Sequence, residues 1–174
     1  MRRLLLLRHA KAVQDTGEGD HARALTERGQ TDAARVGHAM DVHGYVPDLV
    51  LCSNARRTVE TWELVSPELA RAPEVKFTKD LYLASPKNIL AQIQGVHHAV
   101  KTLAIVGHNP GIEECAIRLS RRPISKAESH KQEDMREKFP TCALAVIDFD
   151  VESWSDVSGG GILLEFLRPR DLAD

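Results

Sequence analysis

The chain has 174 residues, of which 23 are Lys or Arg and 25 are Asp or Glu, so its formal net charge is −2. This length fits one domain, and an apolar fraction of 43% supplies a core without a disulfide or a metal. We therefore predict a single domain over residues 1–174. Charges of both signs are interspersed along the chain, which excludes the basic field that binding to nucleic acid or an anionic membrane requires.

The three cysteines, Cys52, Cys115 and Cys142, are scattered and form no C-x-x-C pair. This pattern argues against a zinc site or a thiol redox centre, and it is typical of reduced thiols in a cytoplasmic protein. The apolar run near the amino end stops at Arg8, so it is too short for a signal sequence or a membrane span. We expect a cytoplasmic protein that is not attached to a membrane.

Short apolar runs along the chain predict six strands. Runs of this kind, bounded by polar or glycine residues, are typical of strands buried on both faces. The predicted strands are residues 4–7, 49–52, 75–77, 103–106, 143–149 and 162–167, and 75–77 carries the weakest signal. The last two flank a glycine-containing turn, as the strands of a hairpin do.

Helix start signals lie between those runs. The predicted N-caps are Thr26, Ser53 or Asn54, Ser85 and Asn109, and a proline follows each of the last two at the first helical position. Residues 118–138 hold many charges and almost no apolar periodicity, which predicts a solvated loop or a short surface helix, with a mobile flap over the crevice as the alternative. Strands that alternate with helices predict an α/β fold, here a three-layer α/β/α sandwich with a mostly parallel sheet and an antiparallel C-terminal strand.

Two histidines each follow one of the predicted strands. His9 stands in Leu7-Arg8-His9-Ala10, and His108 stands in Val106-Gly107-His108-Asn109-Pro110-Gly111. In open parallel sheets, ligands bind in the crevice outside the carboxyl ends of the strands. We therefore expect the two imidazoles to meet at that edge, although they are far apart in the chain.

Arginines are expected at the same edge of the predicted sheet. Arg56 and Arg57 open the helix after the second strand, and Arg8 precedes His9. A helix amino terminus presents unpaired N–H groups, and a guanidinium adds a planar, bidentate donor to such an anion site. Two guanidiniums and two imidazoles in one crevice are a costly cluster of like charge unless an anion lies among them, and a phosphoryl group matches that geometry.

The ordered set of motifs resembles the histidine phosphatase superfamily, with its phosphoglycerate-mutase-like fold, and most closely the small SixA-like phosphohistidine phosphatases. The resemblance covers nearly the whole chain and implies one histidine phosphatase domain. The motifs that carry it are Leu7-Arg8-His9, Arg23-Ala24-Leu25-Thr26-Glu27-Arg28-Gly29, Ser53-x-x-x-Arg57-x-x-x-Thr61, Leu81-Tyr82-Leu83 and Gly107-His108-Asn109-Pro110-Gly111.

The resemblance also implies roles for single residues. His9 matches the family's nucleophile, which becomes phosphorylated, while Arg8 and Arg57 match arginines that bind the phosphate. His108 matches the histidine that stabilises the transferring phosphoryl group, and Arg23 matches an arginine near the pocket of small members. No metal or other cofactor is expected, since arginines take the role that magnesium plays elsewhere.

Larger members of the family carry an acidic residue that protonates the leaving group. By position the candidate for this general acid is Asp80, although the glutamate-containing string of the mutases is absent. Substrates such as phosphohistidine need less proton assistance than alkyl phosphates, so a weak or missing acid favours a phosphoramidate substrate.

The sequence therefore predicts a metal-independent phosphatase that acts through a phosphohistidine on His9, with a phosphohistidine protein as the favoured substrate. A small-molecule phosphomonoesterase, a phosphoglycerate-type mutase and a non-catalytic module that binds phosphorylated partners stay open as alternatives. The expected partner is thus a phosphorylated protein or a small phosphorylated molecule, and not nucleic acid or a membrane. The pattern carries no signal for an oligomeric state.

Overall fold

The structure is a computed structural model and describes residues 1–172. In this part of the chain six strands form one sheet in the order β3-β2-β4-β1-β5-β6. The strands are β1 (Arg2–Arg8), β2 (Leu49–Ser53), β3 (Glu74–Thr78), β4 (Thr102–Gly107), β5 (Leu144–Phe149) and β6 (Ile162–Leu167). Each predicted strand is therefore present, with ends that differ by at most two residues.

The sheet is parallel at its centre. β1, β4, β2 and β3 pair in parallel, and β5 is antiparallel to both β1 and β6, so the predicted mixed sheet is confirmed. In the central pair Arg8 lies opposite Gly107. The next residue of each strand is one of the two histidines, so the register itself brings them out of the sheet side by side.

Helices cover both faces of the sheet, which confirms the three-layer sandwich. They are α1 (Glu27–Val42), α2 (Arg56–Val65), α3 (Pro86–Gln94), α4 (Gly111–Leu119) and α5 (Lys126–Glu137). Successive side chains of a strand point to opposite faces, so Leu4 and Leu6 of β1 pack with residues of α3, α4 and α5, whereas Leu5 and Leu7 pack with residues of α1 and α2.

Two of the predicted caps are confirmed. The Thr26 side chain accepts from the N–H of Gly29, and the Ser85 side chain accepts from the N–H of Asn88. Both hydroxyls satisfy a backbone donor that the first turn of the helix leaves unpaired.

The other two predicted caps are wrong. α2 begins only at Arg56, so its N-cap is Ala55, which has no polar side chain to make a cap bond, whereas Ser53 is the last residue of β2. α4 begins only at Gly111, after a cis peptide bond between Asn109 and Pro110, so that proline precedes the helix.

The charged segment contains a helix, so of the two predicted forms the surface helix is confirmed and the loop is wrong. Ser125 caps α5, and the helix turns Glu128, Gln132 and Met135 towards the protein. The first two of these buried side chains are polar, and the carboxylate of Glu128 accepts two bonds from Arg121. Apolar periodicity alone does not reveal a buried face that is built largely from paired polar groups.

Within residues 1–172, no helix combines the length and the apolar character that crossing a membrane would need. The three cysteine side chains are buried and none of them forms a disulfide.

Gly111 allows α4 to start beside the end of β4. A Cβ at this position would lie 2.0 Å from the carbonyl oxygen of Ala84, so the backbone would have to shift. We expect Gly111→Ala to lower the free energy of unfolding by about 1–3 kcal/mol, as other overpacking substitutions do. Urea denaturation measures the difference.

The matched control is Gly95→Ala. Gly95 has a φ of −85°, and the nearest atom to an added Cβ is 3.6 Å away. We expect this variant to be as stable as the wild type or more stable by up to about 1 kcal/mol. Equal stability of the two variants would contradict the steric argument.

Candidate active site

A cavity of about 410 Å³ opens at the carboxyl edge of the central strands. Five of the six side chains singled out from the sequence line it: Arg8, His9, Arg23, Arg57 and His108. They come from the ends of β1 and β4, from the first turn of α2 and from the loop between β1 and α1. The sheet order therefore assembles in space a set of cationic and ionisable groups that the chain keeps far apart.

His9 is 7% exposed, and its ring is hydrogen-bonded to the backbone of the next residue. Nδ1 lies 2.7 Å from the carbonyl oxygen of Ala10. Because a carbonyl only accepts, Nδ1 carries the ring proton in the neutral form, and Nε2 keeps its lone pair. Burial, together with the guanidiniums of Arg8, Arg57 and Arg23, lowers the pKa of His9 to about 4. Nε2 of His9 is therefore unprotonated at neutral pH.

His108 faces His9 across 5.3 Å, measured between ring centroids. Its Nε2 lies 2.7 Å from the hydroxyl oxygen of Ser53. Burial is the largest cause that lowers the pKa of His108, to about 3, and the neighbouring His9 and Arg57 add to it. Both imidazoles are thus neutral, which removes two of the four like charges that the sequence implied.

Arg57 is 2% exposed and lies at the first turn of α2. It donates through Nη1 to the backbone oxygen of Asp20 at 2.8 Å and through Nη2 to the carboxylate of the same residue at 2.9 Å. Arg8 donates through Nη1 to the carbonyl of Phe139 at 3.1 Å. Burial also lowers the pKa of Arg8, because its charged guanidinium is poorly solvated.

Among the described residues, several buried polar atoms have no hydrogen-bond partner, and three of them belong to this cavity: Nε of Arg8, Nε of Arg57 and Nδ1 of His108. Buried polar atoms without partners are costly, and their occurrence in one place is a feature of binding sites. A tetrahedral oxyanion offers the acceptors that these side chains lack.

The sequence analysis missed Asp20. It lies in a loop that offered no periodic signal, yet its carboxylate accepts bonds from Arg57, Arg23 and the hydroxyl of Tyr82. These donors hold the pKa of Asp20 well below its usual range, so it is ionised. The Tyr82 ring also packs edge-on against His108 with centroids 5.5 Å apart. Only the Leu81-Tyr82-Leu83 motif hinted at this tyrosine.

The structure does not bring Asp80 into the cavity. This residue is exposed in the turn after β3, and its N–H donates to the Thr78 hydroxyl at 3.1 Å. It lines a separate depression together with Ser85 and Asn88. The three-residue turn after β3 directs Asp80 away from the cavity, and Asp20 is the carboxylate that lines it.

Comparison with known proteins finds a matching family and relatives. Residues 4–82 match the histidine phosphatase superfamily (branch 1). An uncharacterized protein of Mycobacterium tuberculosis strain H37Rv is 34% identical over 165 residues, which cover 94% of this chain and 100% of that protein. An uncharacterized chloroplastic protein of Arabidopsis thaliana is 32% identical over 186 residues, which cover 98% of this chain and 78% of that protein.

Solved structures are similar over nearly the full length. A protein of Nakamurella multipartitia superposes with a TM-score of 0.81 at 28% identity, covering 97% of this chain and 96% of the other. A protein of Agrobacterium tumefaciens gives a TM-score of 0.77 at 29% identity, with coverages of 97% and 99%. Both are provisionally named phosphohistidine phosphatase SixA.

The fold, the cavity and these relatives together define the class. The chain belongs to the histidine phosphatase superfamily, and it is a phosphatase.

The Asp20 carboxylate occupies guanidinium donors that an oxyanion would use. Tungstate, a tetrahedral oxyanion, serves as the probe. Asp20→Asn keeps an acceptor oxygen but removes the negative charge. We expect this variant to bind tungstate about fivefold more tightly, because a nearby like charge no longer opposes the anion. Isothermal titration measures the affinity.

Glu18→Gln is the matched control. It removes the same charge from the same loop, but Glu18 is exposed, and the bonds of Arg57 go to Asp20. We expect it to leave tungstate binding within about twofold of the wild type. Weaker binding by Asp20→Asn would contradict the competition and assign Asp20 the role of orienting Arg57.

Proposed function

We propose that this phosphatase hydrolyses a phosphohistidine on a protein substrate, without a metal ion, through a phosphohistidine intermediate on His9. The observation that carries the proposal is the neutral His9 ring, whose Nδ1 is bound to the Ala10 carbonyl while Nε2 keeps its lone pair among cationic side chains. A nucleophile in that state attacks phosphorus without first losing a proton.

The first step transfers the phosphoryl group to His9. The Nε2 lone pair forms a bond to phosphorus as the bond from phosphorus to the leaving nitrogen breaks, and that nitrogen takes the electron pair and a proton from water. Arg8, Arg57 and His108 hold the non-bridging oxygens, whose charge meets donors already in place. Arg23, at the side of the cavity, adds positive charge.

Water completes the reaction. Its oxygen attacks the phosphorus of phosphohistidine as the bond to Nε2 breaks, and the ring recovers its lone pair. The proton that this water gives up neutralises the hydroxide that the first step left in the solvent. The products are inorganic phosphate and the starting enzyme. Two displacements with a good leaving group in each replace one difficult hydrolysis.

The charge state of the carboxylates favours a phosphoramidate substrate. Asp20 is ionised by its bonds to Arg57 and Tyr82, so it has no proton to give, and Asp80 lies outside the cavity. An imidazole leaving group needs less proton assistance than an alkoxide. The cavity also opens to solvent, which suits a phosphorylated side chain on a protein. The two SixA relatives bear a name of the same substrate class.

A small phosphomonoester is the second candidate substrate. The guanidinium and imidazole donors recognise the phosphoryl group and not what it is attached to, so an aryl phosphate with a good leaving group fits the same chemistry.

The experiment that tests the nucleophile is rapid quench with labelled phosphohistidine protein, followed by mapping of the labelled residue. We expect the label on His9, and we expect His9→Ala to lose the label and at least about 1,000-fold in kcat. The exposed His38 is the control, and His38→Ala retains label and turnover. Full activity of His9→Ala, or a label on another residue, refutes the mechanism.

Substrate class is decided in the same assay. We expect kcat/KM to fall in the order phosphohistidine protein, aryl phosphate, alkyl phosphate, because proton demand at the leaving atom rises in that order. A preference for an alkyl phosphate would contradict the absence of a proton donor. A trapped complex without turnover on any substrate would favour a binding module.

The pH profile follows from the lowered pKa of His9. Protonation removes the lone pair, so kcat/KM for phosphoenzyme formation is expected to stay level from pH 8 down to about 5.5 and to fall as pH approaches 4. An imidazole with its usual pKa would already lose activity below about pH 6.5. Because Arg23 contributes to the lowered pKa, Arg23→Gln should move the acid limb to higher pH. An acid limb near pH 6.5 in the wild type contradicts the burial argument.

A further inference from the structure

Three residues spaced four apart, Ser53, Arg57 and Thr61, join the end of β2 to the middle of α2. Arg57 reaches the cavity directly. Ser53 and Thr61 are uncharged, 0% exposed and absent from the cavity lining, so phosphate binding does not explain them. Each hydroxyl instead makes a hydrogen bond to the segment that follows another strand of the sheet.

Thr61 acts on the segment after β1. Its Oγ1 donates to the carbonyl of Arg57 at 2.7 Å, which uses its single hydrogen, and accepts from the N–H of Ala10 at 2.9 Å. The carbonyl of the same Ala10 accepts from Nδ1 of His9 at 2.7 Å. Ala10 is therefore held at its N–H by the threonine and holds the histidine at its carbonyl.

Ser53 acts on the segment after β4. Its Oγ lies 2.7 Å from Nε2 of His108, in a buried contact. The same oxygen accepts from the N–H of Ala55 at 3.3 Å. The hydroxyl thus ties the second imidazole to the backbone that begins α2.

We propose that Thr61 and Ser53 are positioning residues that fix the two imidazoles of the site, Thr61 through the backbone of Ala10 and Ser53 by direct contact with His108. This inference rests on the proposed function. Thr61 keeps the Ala10 carbonyl where it receives the Nδ1 proton, and so keeps Nε2 as the free nitrogen that attacks phosphorus. Ser53 sets the orientation in which His108 meets the phosphoryl oxygens. The segment from the end of β2 to the middle of α2 thereby sets three functional groups at once.

The test replaces Thr61 by Val, which keeps the shape and removes the acceptor. We expect kcat for phosphohistidine to fall about 10- to 100-fold, as small misplacements of a reacting group do, with KM and the Kd of tungstate within about twofold of the wild type. Thr61→Ser restores kcat, and Thr61→Cys, a weak acceptor, gives an intermediate value.

The control is Thr31→Val. Thr31 makes the same hydroxyl bond to the carbonyl four residues earlier, that of Glu27, but does not support the site. Its kcat is expected to stay unchanged. If Thr61→Val does not fold, the order of the Ser and Cys variants decides the question.

A spectroscopic measurement separates positioning from a general loss of structure. In protein labelled with ¹⁵N-histidine, the wild type is expected to show His9 protonated at Nδ1 and free at Nε2. Thr61→Val is expected to show a mixture of the two tautomers. A single unchanged tautomer together with unchanged kcat overturns the role of Thr61.

Ser53→Ala removes one oxygen atom and is tested in the same way. We expect about tenfold lower kcat with little change in tungstate affinity. Unchanged kcat overturns the role of Ser53.

The two levels of inference fail differently. If His9→Ala remains active, the proposed function fails and this inference with it. If His9→Ala is inactive but Thr61→Val and Ser53→Ala have wild-type kcat and the wild-type tautomer, only the positioning role fails.

Discussion

The site depends on the parallel pairing of β1 with β4. In this register Arg8 lies opposite Gly107, and the N–H of His9 donates to the carbonyl of Gly107 at 3.1 Å. A shift of one residue would turn every side chain of β1 to the other face of the sheet. The leucines of that strand alternate between two cores, so hydrophobic burial holds the register. The geometry of the imidazoles is thus a consequence of packing deep in the sheet.

That arrangement creates an electrostatic problem, and burial solves part of it. Desolvation lowers the pKa of both His9 and His108 far enough that neither carries charge near neutrality. The guanidiniums of Arg8 and Arg57 remain charged, and the Asp20 carboxylate balances one of them. The chain thereby combines an uncharged imidazole, which is the proposed nucleophile, with the cationic surrounding that the proposed phosphoryl substrate requires, and these are opposite demands in one small volume.

Asp20 also links anion recognition to a loop. Its carboxylate and backbone oxygen both accept from Arg57. The carboxylate also accepts from the hydroxyl of Tyr82, which follows β3, the strand at one edge of the sheet. A phosphoryl group bound as proposed would share Arg57 with Asp20 of this chain. The affinity for any oxyanion is therefore a difference between two ion pairs, and the loop that carries Asp20 influences it.

Much of this protein was readable from local pattern. The strands, the caps at Thr26 and Ser85, and the two histidines at strand ends follow from apolar runs and turn chemistry, and family motifs separate Arg57 from its neighbour Arg56. Those signals reach only a few residues along the chain. They left residues 118–138 between a loop and a surface helix because the buried face of α5 is largely polar. The expected cap at Ser53 or Asn54 is absent because Ser53 still belongs to β2 and α2 begins only at Arg56.

What only the tertiary structure decided are the contacts between segments. Asp20 lies 37 positions from Arg57 and 62 from Tyr82, and Thr61 lies 51 from Ala10. No periodicity encodes such pairs, since they depend on strand order and on how each loop leaves the sheet. The same dependence turned Asp80 away from the cavity and placed Asp20 within it. Local sequence thus determined which elements form and where the histidines end up, and the packing of distant segments decided which polar groups surround them.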